Sequence, residues 1–117
     1  MAKTIHMYVF ELRISSLNKY EPKFTKRCVE VKETPKQFRT VNPKEDLTSY
    51  RTIVNKTEKD VLITSAVCSR FELMTEKDDI EYFKEKIIKH INNQRENLLS
   101  KINDLNNQEN IVRELKG

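Results

Sequence analysis

The sequence contains no glycine before its last residue, Gly117. The phosphate-binding loops of P-loop NTPases and Rossmann dehydrogenases need glycines at fixed positions, because any side chain there would block the close approach of the backbone to the phosphates. A chain without internal glycine cannot form either loop. These two classes of nucleotide enzyme are therefore excluded.

Histidine and cysteine are also scarce. The two histidines, His6 and His90, belong to no recognisable motif, whereas acid–base or nucleophilic catalysis needs a base, a nucleophile and an orienting group together. We therefore expect no enzyme activity and no catalytic residue. Cys28 and Cys68 have no Cys or His close in sequence that would complete a metal site, and we interpret them as free, buried thiols. We expect no metal and no cofactor.

Long apolar runs are absent as well, so the sequence predicts neither a signal peptide nor a membrane helix, and we expect a cytoplasmic protein with no membrane partner. The formal net charge is +4, and the positive excess lies in residues 1–74. This asymmetry favours an anionic partner without identifying one.

Alternating apolar and polar residues predict an antiparallel sheet in the first two thirds of the chain. We expect about five strands, at residues 5–14, 24–34, 37–41, 50–56 and 61–73. Strands followed by helices indicate an α+β fold. We expect one domain, residues 1–117, with the sheet in residues 1–74 and a helical region for oligomerisation and ligand binding in residues 75–117.

The helical region begins with a long amphipathic helix. Its apolar residues recur at steps of three, four or seven: Ile80, Phe83, Ile87, Ile91, Leu98, Ile102 and Leu105. Thr75 and Asp78 form a capping-box pattern at its start. Asn106 and Asn107 favour turns, so we expect a kink there and a short second helix over residues 108–116. One sheet cannot cover both helices, which predicts a homo-oligomer joined through them.

A polar stripe lies beside the apolar one on the long helix: Lys86, His90, Asn93, Asn97, Lys101 and Asp104. A nucleotide needs guanidinium groups for its phosphates, a ring to stack on its base and an amide for a base edge or ribose. Arg27 or Arg113 could supply the first, Phe83 the second and Asn93 the third. His90 and Asn97 complete this predicted ligand site.

Two other functions remain open at this point. Basic and aromatic residues in the second strand and beyond it, Lys26, Arg27, Lys32, Arg39 and Phe24, could follow a single-stranded nucleic acid. Alternatively, the helical surface could bind and inhibit a host protein.

In length, order of elements and placement of polar residues, the chain resembles the phage-encoded Thoeris anti-defence sponges. The resemblance implies a protein of the host bacterial cytoplasm that sequesters a glycocyclic ADP-ribose immune signal without cleaving it. Some members of that family also hold cyclic oligonucleotides of the CBASS system. It further implies a dimer or hexamer whose pocket contains Phe83, Asn93 and Arg113, with Arg27 close to the ligand.

Overall fold

The computed structural model describes residues 3–14, 22–65 and 70–117. The chain divides into two compact units, residues 1–84 and residues 85–117. The first holds a six-stranded sheet and the second most of helix α1 (Ile80–Arg113). Within the described ranges, no helix combines the length and the apolar character that a membrane crossing requires.

The sheet is antiparallel and curled, in the order β4-β3-β2-β1-β6-β5. Its strands are β1 (Lys3–Arg13), β2 (Lys23–Glu33), β3 (Gln37–Thr40), β4 (Ile53–Asn55), β5 (Ile63–Ser65) and β6 (Arg70–Thr75). The α+β class and the antiparallel sheet before a long helix are confirmed.

The expected number of five strands is wrong, because residues 61–73 form parts of two strands rather than one. β5 and β6 pair with each other, with Ile63 opposite Glu72 and Ser65 opposite Arg70. This pairing gives hydrogen-bond partners to backbone N–H and C=O groups that a single edge strand would leave unpaired. Residues 66–69 of the expected strand lie outside the described residues.

One face of the sheet carries the main core. Because successive side chains alternate between faces, Met7 and Val9 of β1 lie on the same side as Val29 of β2 and Met74 of β6. The core is completed by Val31, Phe38, Val54 and, from the loop after β3, Leu47. We call this side the core face.

The opposite side, which we call the aromatic face, is built around Phe10. The ring of Phe83, in the first turn of α1, stacks on Phe10 with the ring centroids 5.3 Å apart, and Phe24 lies 6.3 Å from Phe10. Phe83 is 1% exposed. Cys28 lies on this face as a free and exposed thiol, so the expectation of burial was wrong for it. Cys68 lies outside the described residues.

Helix α1 begins later than expected. Thr75 ends β6, and the Asp79 carboxylate accepts the Glu81 N–H at 3.0 Å in the manner of an N-cap. Asp78 accepts a hydrogen bond from the Lys26 ammonium at 2.6 Å instead of capping the helix.

The expected kink and second helix are wrong, because α1 continues through Asn106 and Asn107 to Arg113. Each asparagine costs only about 0.7 kcal/mol in a helix interior, and no proline or internal glycine adds to that cost. A Glu109–Arg113 ion pair at 2.7 Å supports the last turn. A single 3-10-type hydrogen bond from the Leu115 N–H to the Val112 carbonyl follows.

The burial of Phe83 leads to a prediction about stability. We expect Phe83→Ala to lower the free energy of unfolding by about 3–5 kcal/mol, because it removes the ring that packs against Phe10 and Phe24. The exposed Asn93→Ala variant, also on α1, should change it by less than about 0.5 kcal/mol. Urea unfolding followed by circular dichroism measures both values, and a Phe83→Ala protein as stable as Asn93→Ala would contradict this packing.

Candidate anion-binding site on the sheet

Three basic side chains lie side by side at one end of the core face. The strand register places Lys23 of β2 and Arg70 of β6 on either side of Arg13 of β1. We call these three residues the cationic row. Like charges in directly opposed positions repel each other, so this arrangement needs compensation.

The compensation comes from two carboxylates one step further along the strands. Glu11 accepts from Arg13 Nε at 2.8 Å and lies 3.2 Å from Arg70 Nε, while Glu72 pairs with Arg70 Nη2. Hydrogen bonding to Glu11 raises the pKa of Arg13. Lys23 has no hydrogen-bond or ion-pair partner among the described residues. Within the described ranges, the end of the row at Lys23 therefore carries a positive charge that no carboxylate pairs with.

Glu72 also fixes a turn in the loop before β4. Its side chain is 6% exposed, and its Oε2 accepts the Ser49 backbone N–H at 2.8 Å. Ser49 and Tyr50 both have φ near 58°, a left-handed conformation that residues other than glycine rarely adopt. Contacts with neighbouring side chains must hold this strained turn in place.

Two arginines of the cationic row hold the Tyr50 side chain. Arg13 Nη2 donates to the phenol oxygen at 2.8 Å, and the Arg70 guanidinium lies 4.6 Å from the ring centroid. Tyr50 is nevertheless 61% exposed. A rigidly held aromatic surface therefore lies next to the cationic row and remains accessible.

Two cavities flank this group. The larger, about 220 Å³, is lined by Glu11, Arg13, Lys23 and Thr25. The smaller, about 90 Å³, is lined by Ser49, Ile63, Thr64, Ser65, Arg70 and Glu72. Guanidinium and ammonium groups beside an exposed ring suit an anion that carries a planar group. The described residues contain no cluster of His, Cys, Asp or Glu that could hold a metal ion.

The sequence-predicted ligand residues of the first unit do not meet. Phe83 packs on the aromatic face, whereas Arg27 lies on the core face and binds the backbone oxygen and carboxylate of Asp46 at 2.8 and 3.1 Å. The Arg27 contact holds the loop that carries Leu47 over the core. Both side chains are occupied in packing or loop anchoring.

The other predicted ligand residues lie on α1 in the second unit. Asn93, Asn97 and Arg113 are exposed, and His90 is half-buried, with its ring 3.4 Å from the Gln94 amide. Because α1 is unbroken, Asn93 and Arg113 are separated by about 30 Å along its axis. One chain therefore does not bring these two residues together.

The basic run proposed for nucleic acid is split by the strand alternation. Lys26 and Lys32 lie on one side of β2 and Arg27 on the other. A hydrogen bond to Asp78 raises the pKa of Lys26, and Arg27 is paired with Asp46. Phe24, 42% exposed, belongs to the cluster of Phe10 and Phe83.

Sequence reasoning missed Arg13, Tyr50 and Arg70. Arg13 and Tyr50 lie within the strands expected at residues 5–14 and 50–56, and neither was assigned to a ligand site. One signal was present: the polar residues Glu11, Arg13, Arg70 and Glu72 follow or precede the apolar stretches of β1 and β6. These four residues are adjacent because β1 pairs with β6. The periodicity of the sequence does not reveal that pairing.

Comparisons of this chain with known proteins found no relative. No family model matches the chain, and no curated protein or solved structure is similar to it.

Glu72 should be essential to this site. In Glu72→Ala, Arg70 loses one of its two carboxylates and the Ser49 N–H loses its acceptor, so we expect the free energy of unfolding to fall by about 3 kcal/mol. Glu81→Ala is the matched control, because that carboxylate is 65% exposed and, in the part of the chain that the structure describes, pairs with Lys84 alone. Its removal should cost less than about 0.5 kcal/mol in the same urea titration. Equal losses in the two variants would show that Glu72 does not hold the turn.

Proposed function

We propose that the protein is a non-catalytic binding protein that captures a cyclic nucleotide immune signal and holds it without cleaving it. The proposed ligand is a glycocyclic ADP-ribose or a cyclic oligonucleotide. The proposed role of the protein is to defend a phage against the immune system of its host. The ligand class follows from the sequence resemblance and from the chemistry of the cationic row.

The observation that carries this proposal is the combination of Tyr50 with the cationic row. The exposed ring offers a stacking surface for a base, and Arg13 and Lys23 line the cavity of about 220 Å³ beside it. Stacking on an aromatic ring together with charge-assisted bonds to phosphate is a common mode of nucleotide recognition. A strained turn and a ring held by two arginines need little ordering on binding, which favours affinity.

This proposal locates the ligand on the sheet rather than on the helix. Phe83, assigned from sequence to stack on the base, is 1% exposed, and Asn93 lies about 30 Å from Arg113 along α1. Tyr50 and the cationic row together offer an accessible ring and, at Lys23, a positive charge that no described carboxylate pairs with.

Native mass spectrometry of the full chain tests the proposal, with a glycocyclic ADP-ribose and a cyclic dinucleotide as separate probes. We expect one probe to add its intact mass and to be recovered unchanged after denaturation of the protein. The Lys23→Ala/Tyr50→Ala variant should lose at least about 100-fold in affinity, since it removes a stacking ring and a phosphate contact.

Lys32→Ala is the matched control, because Lys32 is also an exposed lysine of β2 but lies on the other side of the sheet. It should bind the probe like the unaltered protein. Loss of binding in Asn93→Ala/Arg113→Ala, with binding retained in the Lys23→Ala/Tyr50→Ala variant, would move the site to the helix. No added mass with either probe would contradict the proposed function.

A further inference from the structure

Part of the aromatic face carries exposed side chains of two kinds, basic and aliphatic. Lys32 of β2 lies directly opposite Arg39 of β3, and Ile53 of β4 lies opposite Arg39 on its other side. Val41, whose N–H still bonds to β2, comes two positions after Arg39 and therefore lies on the same face. All four side chains are exposed. We call these four residues the Lys32 patch.

The two cations of this patch repel each other, because like charges in directly opposed positions are destabilising. In the cationic row, carboxylates on the same side of the sheet resolve that conflict. Here, in the part of the chain that the structure describes, neither Lys32 nor Arg39 has a hydrogen bond or an ion pair. Glu30 lies two positions before Lys32 on the same side of β2 but does not pair with it. The sheet therefore leaves two neighbouring positive charges for a partner to neutralise.

The aliphatic members of the patch indicate that this partner is a protein. Val41 and Ile53 are 41% and 40% exposed. Burial of apolar area beside complementary charges is typical of protein interfaces. A single-stranded nucleic acid stacks its bases on aromatic rings, which the Lys32 patch does not contain, and Glu30 beside the patch would repel its phosphates.

The edge of β4 limits how a partner can approach. Glu58 Oε2 accepts the Asn55 N–H at 3.0 Å, and Glu58 Oε1 pairs with Arg51 Nη2 at 2.5 Å. Arg51 and Asn55 lie on either side of Ile53 along the strand, so this ion pair runs along the edge. A partner strand would have to displace it before pairing with β4. The partner therefore packs on the face of the sheet, and a helix is the element that commonly covers such a face.

We propose that the Lys32 patch binds an acidic amphipathic helix of a different protein. Its carboxylates pair with Lys32 and Arg39, and its apolar side chains cover Val41 and Ile53. Residues three and four positions apart on a helix lie about 5–6 Å from each other. Alternate residues of a strand, such as Arg39 and Val41, lie about 7 Å apart. A carboxylate and an apolar side chain one helical turn apart therefore match the patch.

The charge of α1 indicates that the partner helix is not that of a second copy. Helix α1 contains six basic and five acidic residues, so it offers no excess of carboxylates to two neighbouring cations. A helix with a clear acidic excess on one side is required.

Amide chemical shifts of the isotope-labelled full chain, recorded by NMR, test the proposal with two synthetic peptides. The first is an amphipathic helical peptide with Glu and Leu on one face at steps of three and four, and the second has Lys in place of each Glu. We expect the Glu peptide to shift the amide signals of residues 30–32, 39–41 and 53 most. It should bind at least about 10-fold more tightly than the Lys peptide, because only its charges complement the patch.

Charge reversal provides the matched variants. Lys32→Glu/Arg39→Glu should reverse the preference, so that the Lys peptide binds more tightly than the Glu peptide. Lys89→Glu/Lys101→Glu changes the net charge equally at two exposed lysines of α1 and should keep the preference of the unaltered chain. Circular dichroism should show that both variants remain folded, since each substitution is at an exposed position.

Equal binding of the two peptides to the unaltered chain, or the largest shifts on α1, would overturn the proposal. So would an equal effect of the two double variants, which would indicate a response to net charge alone. Tighter binding of a single-stranded oligothymidine at the same amides would replace the protein partner with a nucleic acid. The patch lies on the other side of the sheet from the cationic row, so these results are independent of nucleotide capture.

Discussion

The pairing of β1 with its two neighbours decides where the cationic row and the core residues of the sheet lie. β1 pairs with β2 from Lys3 to Arg13 and with β6 from Tyr8 to Arg13. A shift of one residue in either pairing would move each side chain of the shifted strand to the other face. The register therefore separates the aromatic face from the core face and brings the cationic row together at one end.

The same pairing creates a local electrostatic conflict that the structure resolves with two carboxylates. Lys23, Arg13 and Arg70 would repel one another across three strands, but Glu11 and Glu72 lie one step along and bind both arginines. Glu72 extends this network to the backbone of Ser49, and through that contact to the turn that presents Tyr50. Charge balance and the position of an exposed ring are thus consequences of one network.

The sequence predicted the parts of the fold that depend on local periodicity. Apolar residues at every second position predicted the first two strands, and apolar residues at every third or fourth position predicted the amphipathic helix. The α+β class follows from that order of elements. The division of residues 61–73 between two strands does not follow from periodicity, because the apolar pattern continues from one strand into the next and does not reveal that Ile63 pairs with Glu72. The expected kink at Asn106 and Asn107 failed because propensity is weak where nothing else opposes a continuous helix.

The candidate site was harder to predict than the fold. Phe83 has the aromatic ring expected of a residue that stacks on a base, but its position in the first turn of α1 places that ring against Phe10. Arg27 has the charge expected of a phosphate ligand, but the loop residue Asp46 binds it. In both cases a neighbour distant in sequence determines the role. Tyr50, by contrast, acquires its role through Arg13, which lies 37 positions away in sequence.

We propose that the cationic row and Tyr50 form one site for an anionic nucleotide. Backbone amide chemical shifts of the isotope-labelled protein, recorded by NMR during titration with a glycocyclic ADP-ribose and then with a cyclic dinucleotide, test it most directly. We expect one of the two nucleotides to shift the amide signals of residues 11–13, 23–25 and 49–51 most. The largest shifts at residues 90–97 of α1, or no shifts with either nucleotide, would contradict it.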